Sequence, residues 1–213
     1  MTDLIFGMGE IGSAIFELLT NRGFDCIGWD LDKAKEERHD YKKLDFIHIC
    51  IPYSENFEDI VRTLSNNYKV PIIIHSTVKP GTSKTLHCCY SPVRGVHKSM
   101  VKDLEYYEKY YAVNTDFSHD GFTKRFKKTN LVTDTTNLEY TKILVDTTYY
   151  GWIIAYRKHV DKIHPVYWEF AEEIHDKLGN RPIMYNDNKP IGGHCIVPNL
   201  ELIDIPLFKE AIR

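Results

Sequence analysis

The chain has 213 residues, a formal net charge of -3, 43% hydrophobic and 27% charged residues, the proportions of a folded chain long enough to bury its own core. That balance supplies no basic surface for nucleic acid or an anionic membrane, and no apolar run approaches the roughly 20 residues of a membrane-spanning helix. Five cysteines without C-x-x-C spacing argue against a disulfide scaffold, and no metal site is expected. With no leader-like apolar segment at the start, the expected setting is a reducing, cytoplasmic one.

Residues 4–6 are a short apolar strand running into Gly7-Met8-Gly9-Glu10-Ile11-Gly12, and residues 13–19 follow with apolar side chains at helical spacing. A G-x-G-x-x-G between a strand and a helix has a physical reading. The first glycine makes a tight turn, the second admits a pyrophosphate, and the third lets the helix pack on the sheet. The helix start then faces the phosphates. A second strand, residues 24–29, ends in Asp30 about 20 residues on, where an acid accepts hydrogen bonds from the adenosine ribose and repels a 2′-phosphate. NAD is therefore expected over NADP, held by Gly7 to Gly12, Asp30, Ser76 and Thr77; Asp32 is a neighbouring candidate for the ribose.

The alternation continues. Residues 45–51 and 71–75 are buried-type strands, 56–66 a helix, 86–90 a fifth strand, and 110–114 and 131–133 complete the sheet. The expected fold is α/β: a Rossmann-type doubly wound, mostly parallel sheet, followed by a long helix and a small helical C-terminal region. Ser76-Thr77 and Ser91-Pro92 fall at strand ends, where ligands bind, although Ser and Thr there also serve as helix caps. From Thr136 the character changes. Residues 137–162 read as one long helix on which Glu139, Lys142, Asp146, Tyr149 and Tyr150 share a face, a pattern that a solvated ion-paired surface also produces. Residues 164–178 form a second helix, and 207–212 a final helical turn. Between them lies Ile191-Gly192-Gly193-His194-Cys195-Ile196-Val197-Pro198-Asn199, either a loop presenting a thiol to a substrate or a glycine turn with a buried cysteine. The domains read as 1–134 for the cofactor and 135–213 for the helices and the cysteine loop.

The order and spacing of G-x-G-x-x-G, Ser76-Thr77-Val78-Lys79-Pro80-Gly81-Thr82, Ser91-Pro92, Glu139-x-x-Lys142 and Gly192-Gly193-His194-Cys195 resemble the nucleotide-sugar dehydrogenases. That family oxidises UDP-glucose, UDP-N-acetylmannosamine or GDP-mannose to uronic acids. The resemblance implies a homodimer built on the long helix, with Cys195 as nucleophile for the second of two oxidations through a thiohemiacetal and a thioester. It makes Lys142 the cation that supports the oxyanion and places Thr77 near the nicotinamide and the reacting water. Arg94, Glu139, Lys142, Gly193 and His194 become substrate contacts, with Tyr149, Tyr150, His97 and Lys98 as further candidates.

Departures accompany the likeness. Val93 stands where the family has Glu, and Arg157-Lys158 replaces an Asn-Glu pair. Asp146 and Asn199 hold the Asn and Asp of the family in exchanged positions, which keeps a base available in Asp146. The sequence stops soon after the cysteine loop, whereas full-length relatives continue into a second Rossmann-like domain, so a short form is expected, with a partner chain as one way of completing the site. The expected function is NAD-dependent oxidation of a sugar or nucleotide-sugar alcohol. The competing readings are a non-catalytic NAD-binding module and a two-electron dehydrogenase that uses Lys142 without the thiol.

Overall fold

The computed structural model describes residues 2–33, 43–95, 99–149 and 202. The chain divides into two compact units, residues 1–140 and 141–213, and each is treated by itself. The expected second helix, the cysteine loop, the final turn, Tyr150, His97 and Lys98 lie outside the described residues.

The first unit is built on β1 (Thr2–Phe6), buried from Asp3 onward. It pairs in parallel with β2 (Asp25–Trp29) on one side and β3 (Leu44–Ile49) on the other. Outward from β3 follow β4 (Ile72–Ile74), β5 (Cys89–Tyr90), β6 (Lys109–Ala112) and β7 (Thr129–Val132), giving the order β2-β1-β3-β4-β5-β6-β7. The chain crosses from β2 to β3 over β1, so the strand order reverses there, and the crevice at such a reversal is where doubly wound sheets bind ligands. Every neighbouring pair is parallel except β5 and β6. Because β6 runs backwards, its first residue, Lys109, shares an edge with the carboxyl ends of β1 to β5.

Alternation along the strands separates two apolar layers. Leu4, Phe6, Ile47, Ile49, Ile72, Ile74 and Tyr90 face one way, against α2 (Phe57–Tyr68) and Leu138 of α6 (Thr135–Leu144). Ile5, Phe46, Ile73, Cys89 and Tyr111 face the other way, against α1 (Glu10–Asn21), α4 (Met100–Tyr106) and α5 (His119–Phe126). The apolar spacing of α1, with Ala14, Ile15, Leu18 and Leu19 buried, is what fixes that helix on its layer.

The mostly parallel, doubly wound sheet is the one expected, with shifted details. The fifth strand shrinks from 86–90 to Cys89–Tyr90, because α3 (Thr82–Thr85) occupies the approach and His87 takes a left-handed φ of 53°, which ends extension before Cys88. The long helix opens as α6 and continues, within the second unit, into one π-helical turn, Val145–Tyr149.

Candidate functional site

The glycine loop sits at the carboxyl end of β1, beside the end of β3. Gly7 has a φ of 98°, and a Cβ there would stand 2.7 Å from Ile51 Cγ2. A Cβ on Gly12 would stand 1.8 Å from the Gly7 carbonyl oxygen, so only glycine lets α1 begin this close to the loop. Gly9 differs: it has ordinary backbone angles, and a Cβ there would meet nothing within 4 Å. It is also the N-cap of α1 and supplies no side-chain cap, the arrangement in which a helix start receives an anion.

Asp30 follows β2 and reaches back to this loop. Its Oδ2 accepts the Met8 N–H at 2.6 Å, and its Oδ1 accepts the Asp32 N–H at 2.9 Å. The carboxylate thus fixes the loop as well as offering charge at the crevice. The Ser13 hydroxyl donates to the Met8 carbonyl at 2.9 Å, and the Met8 side chain lies where a Cβ on Gly28 would be, 2.7 Å from its sulfur. Beside Asp30, between the ends of β1 and β2 and helix α2, is a cavity of about 410 Å³ lined by Phe6, Trp29, Asn56, Asp59, Ile60, Thr63 and Leu64. Phe6 and Trp29 stack at 4.2 Å, and Lys33 Nζ lies 5.4 Å from the centre of the Trp29 ring.

The loops after β4 and β5 border the same edge. The buried Ser76 hydroxyl donates to the Ile51 carbonyl at 2.5 Å, tying the β4 end to the β3 end, while Thr77 is half-buried beside it. Glu139 is fully buried and both its oxygens are occupied: Oε2 accepts the Gly81 N–H at 2.6 Å and Oε1 the Ser83 N–H at 2.8 Å. Burial pushes this carboxyl up, against the pull of those donors. Glu139 therefore holds the far end of the Ser76–Thr82 loop. Val93 is buried in the layer shared with Met100 and Leu104, so the position where a carboxylate was expected turns into the core. Arg94 is exposed, donates to the Glu108 carbonyl at 2.9 Å, and has the rings of Tyr107 and Tyr110 each 5.2 Å away.

In the second unit, Lys142 Nζ lies 2.6 Å from Asp146 Oδ2, and both side chains are largely shielded, at 12% and 9% exposure. Asp146 stands inside the π-helical turn, a kind of irregularity that recurs at functional sites, and the Thr147 hydroxyl donates to the Ile143 carbonyl at 2.6 Å. The solvated ion-paired surface that the sequence also allowed is not what these two residues form. Gly193, His194, Cys195 and Asn199 lie outside the described residues.

The four described cysteines are all free. Burial raises the thiols of Cys26, Cys50 and Cys88 to about 12 and pushes Cys89 further up, so none of the four is a nucleophile near neutral pH. No group of three metal-ligating side chains occurs among the described residues. One cluster that spacing does not reveal is the buried set Asp3, His48, His75, Lys109 and Arg125. Its sequence signal is a polar residue inside an apolar strand, as in Phe46-Ile47-His48-Ile49.

No protein-family description and no curated protein matches the sequence. Among solved structures, a UDP-D-ManNAc dehydrogenase from Pyrococcus horikoshii matches the whole chain at a TM-score of 0.80 and 18% identity, over 68% of its own length. A 3-hydroxyisobutyrate dehydrogenase from Mycobacterium tuberculosis matches 99% of the chain at a TM-score of 0.68 and 15% identity, over 91% of its own length. The UDP-N-acetyl-mannosamine dehydrogenase of Staphylococcus aureus matches all of it at 0.67 and 15%, over 67% of its length. At these identities the likeness is one of fold: the chain has the doubly wound architecture that these dehydrogenases share.

Proposed function

We propose that the protein is an NAD-dependent dehydrogenase that oxidises the primary alcohol of a sugar or nucleotide sugar. The observation that carries this reading is the Gly7–Gly12 loop, closed by the Asp30 carboxylate at the point where strand order reverses. The residues present fit the cofactor. Gly9 leaves open space above the helix start, Asp30 supplies the charge that favours a ribose over a 2′-phosphate, and the cavity beside Trp29 has the apolar walls an adenine takes. When bound, NAD accepts a hydride from the alcohol carbon.

The chain's own residues supply the rest. Lys142 supports negative charge on the substrate oxygen, and Asp146, paired with it, takes the alcohol proton. Cys195 attacks the resulting aldehyde as a thiolate, giving a thiohemiacetal; loss of a second hydride gives a thioester, and water near Thr77 and Asn199 releases the acid. Two NADH form for each acid made. The raised thiols of the four other cysteines support the assignment by removing the alternatives. Arg94, Glu139, Gly193 and His194 contribute to binding the sugar, Glu139 through the loop it holds. The active form is a cytoplasmic homodimer paired along the long helix, with its partner chain covering the site.

A second reading, a non-catalytic NAD-binding module, is favoured by Val93, whose burial leaves no polar group in place of the expected acid. Titration with NAD and a panel of nucleotide sugars separates the two. Binding with NADH release supports the enzyme, and binding without turnover on any of them supports the module. Two NADH per substrate with wild type, and none beyond the aldehyde with Cys195→Ser, is the expected result. One NADH per substrate, unchanged in that variant, would remove the thiol from the mechanism.

A further inference from the structure

Five charged or titratable side chains form a continuous buried chain through the first unit. Arg125 donates to both oxygens of Asp3, from Nε to Oδ2 at 2.5 Å and from Nη2 to Oδ1 at 2.7 Å. His48 Nε2 lies 3.3 Å from Asp3 Oδ2, and His48 Nδ1 lies 2.9 Å from His75 Nε2. His75 Nδ1 is 3.2 Å from Lys109 Nζ and 2.7 Å from the Ser91 carbonyl oxygen. Lys109 Nζ donates to the carbonyls of Ser91 and Pro92, each at 2.8 Å. All five side chains are 3% exposed or less. The chain runs from Asp3, at the start of β1, to the turn after β5 on the edge where the glycine loop ends.

Two proton orders account for these contacts, each leaving one without a shared hydrogen: in the first His75 Nδ1 and the Ser91 carbonyl oxygen at 2.7 Å, in the second Lys109 Nζ and His75 Nδ1 at 3.2 Å. In the first, both histidines are neutral: Lys109 donates to His75 Nδ1, His75 Nε2–H to His48 Nδ1, and His48 Nε2–H to Asp3. Three ammonium hydrogens then meet three acceptors. In the second, His75 Nδ1–H donates to Ser91, and His48 carries a proton on both nitrogens, one more proton in all. Charge decides between them. Arg125 Nη2 lies 3.6 Å from Asp45 Oδ2, so Asp3 and Asp45 balance Arg125 and Lys109, and the first order is neutral overall where the second buries an extra positive charge. Burial, then the charge of Lys109, holds His75 well below the ordinary histidine range, so its ring is neutral in either order.

We propose that Lys109 is a positioning residue for the Ser91–Pro92 turn, and that Asp3, His48 and His75 form a hydrogen-bond chain of one direction that fixes its ammonium group there. Three strand spacings, about 14 Å, separate β5 from β1, so the turn borders the part of a bound dinucleotide remote from the glycine loop. That link to ligand binding rests on the cofactor reading above.

Nitrogen-15 spectra of the imidazoles in the whole protein at pH 7.5 test the chain directly. Both His48 and His75 should carry their proton on Nε2, and a His75 protonated on Nδ1 would overturn the proposal. In Lys109→Met, His75 should move its proton to Nδ1 to meet the Ser91 carbonyl, and NAD affinity should fall by roughly tenfold. A folded Lys109→Met protein with unchanged NAD affinity would overturn the positioning role. If that variant does not fold, the wild-type tautomers decide. If the wild type binds no NAD, the cofactor reading fails, while the tautomers still judge the chain that holds Lys109.

Discussion

Gly9 and Gly12 stand three residues apart in one loop and answer differently to an added methyl group. A Cβ on Gly12 strikes the Gly7 carbonyl, so Gly12→Ala should cost stability at the upper end of the about 1–3 kcal/mol of an overpacked site, read by thermal unfolding. A Cβ on Gly9 strikes nothing in the protein, and Gly9→Ala should change stability by about 1 kcal/mol or less. On the proposed cofactor reading it should nevertheless weaken NAD, because the methyl group would fill the space that reading gives to the phosphates; equal NAD affinity in Gly9→Ala would remove the loop from the cofactor site. The cysteines give a second test at this scale. A thiol raised to about 12 is about one part in ten thousand thiolate at pH 8. Alkylation of the native protein, followed by peptide mapping, should therefore label Cys195 and leave Cys26, Cys50, Cys88 and Cys89 intact. Labelling of Cys50 ahead of Cys195 would reverse the assignment of the nucleophile.

Among the elements, acid sensitivity is set by β1 and α5. Burial alone would raise the Asp3 carboxyl, but hydrogen bonds from His48 and Arg125 and the Arg125 charge outweigh it and hold the group below the usual range. A depressed native pKa adds stability that is present above the unfolded value and is lost as pH falls through the native one. Glu139, raised, has the opposite sign: its contribution is full below the unfolded value and fades as pH rises through the native one. Loss of stability on acidification should therefore follow Asp3. In Asp3→Asn, unfolding should cost about 3–5 kcal/mol less at pH 7, because Arg125 is left without its carboxylate, and the acid slope should flatten. Chemical denaturation between pH 7 and pH 3 measures both. A wild-type slope retained in Asp3→Asn would assign acid loss to other groups.

Apolar runs made most of the sheet legible, since residues 45–51 and 71–75 have no other way to bury their side chains. The strand Thr129–Val132 is partly exposed, so its apolar content marks it only weakly, and the four-residue α3 has no periodicity to read. Lys109 was illegible because lysine ordinarily marks surface. Its burial is licensed by partners 17 and 18 residues away, a fact of tertiary structure. For Glu139 the resemblance implies a substrate contact; the backbone N–H groups of Gly81 and Ser83 that it accepts from are partners that sequence spacing does not expose.

Across the whole molecule, the sheet joins two kinds of connection. Neighbouring strands and helices supply the edge that carries the glycine loop, but the charge balance of the first strand comes from α5, 122 positions along the chain. During synthesis, β1, β2 and β3 leave the ribosome long before that guanidinium does. Until residue 125 emerges, closing the sheet over Asp3 would bury a carboxylate whose strongest partner does not yet exist. The nascent chain is thereby kept from settling around an incomplete edge, and the commitment to fold falls late, near the end of the first unit. A chain cut after residue 115 should stay open to limited proteolysis even though six strands are present, whereas one cut after residue 149 should resist it.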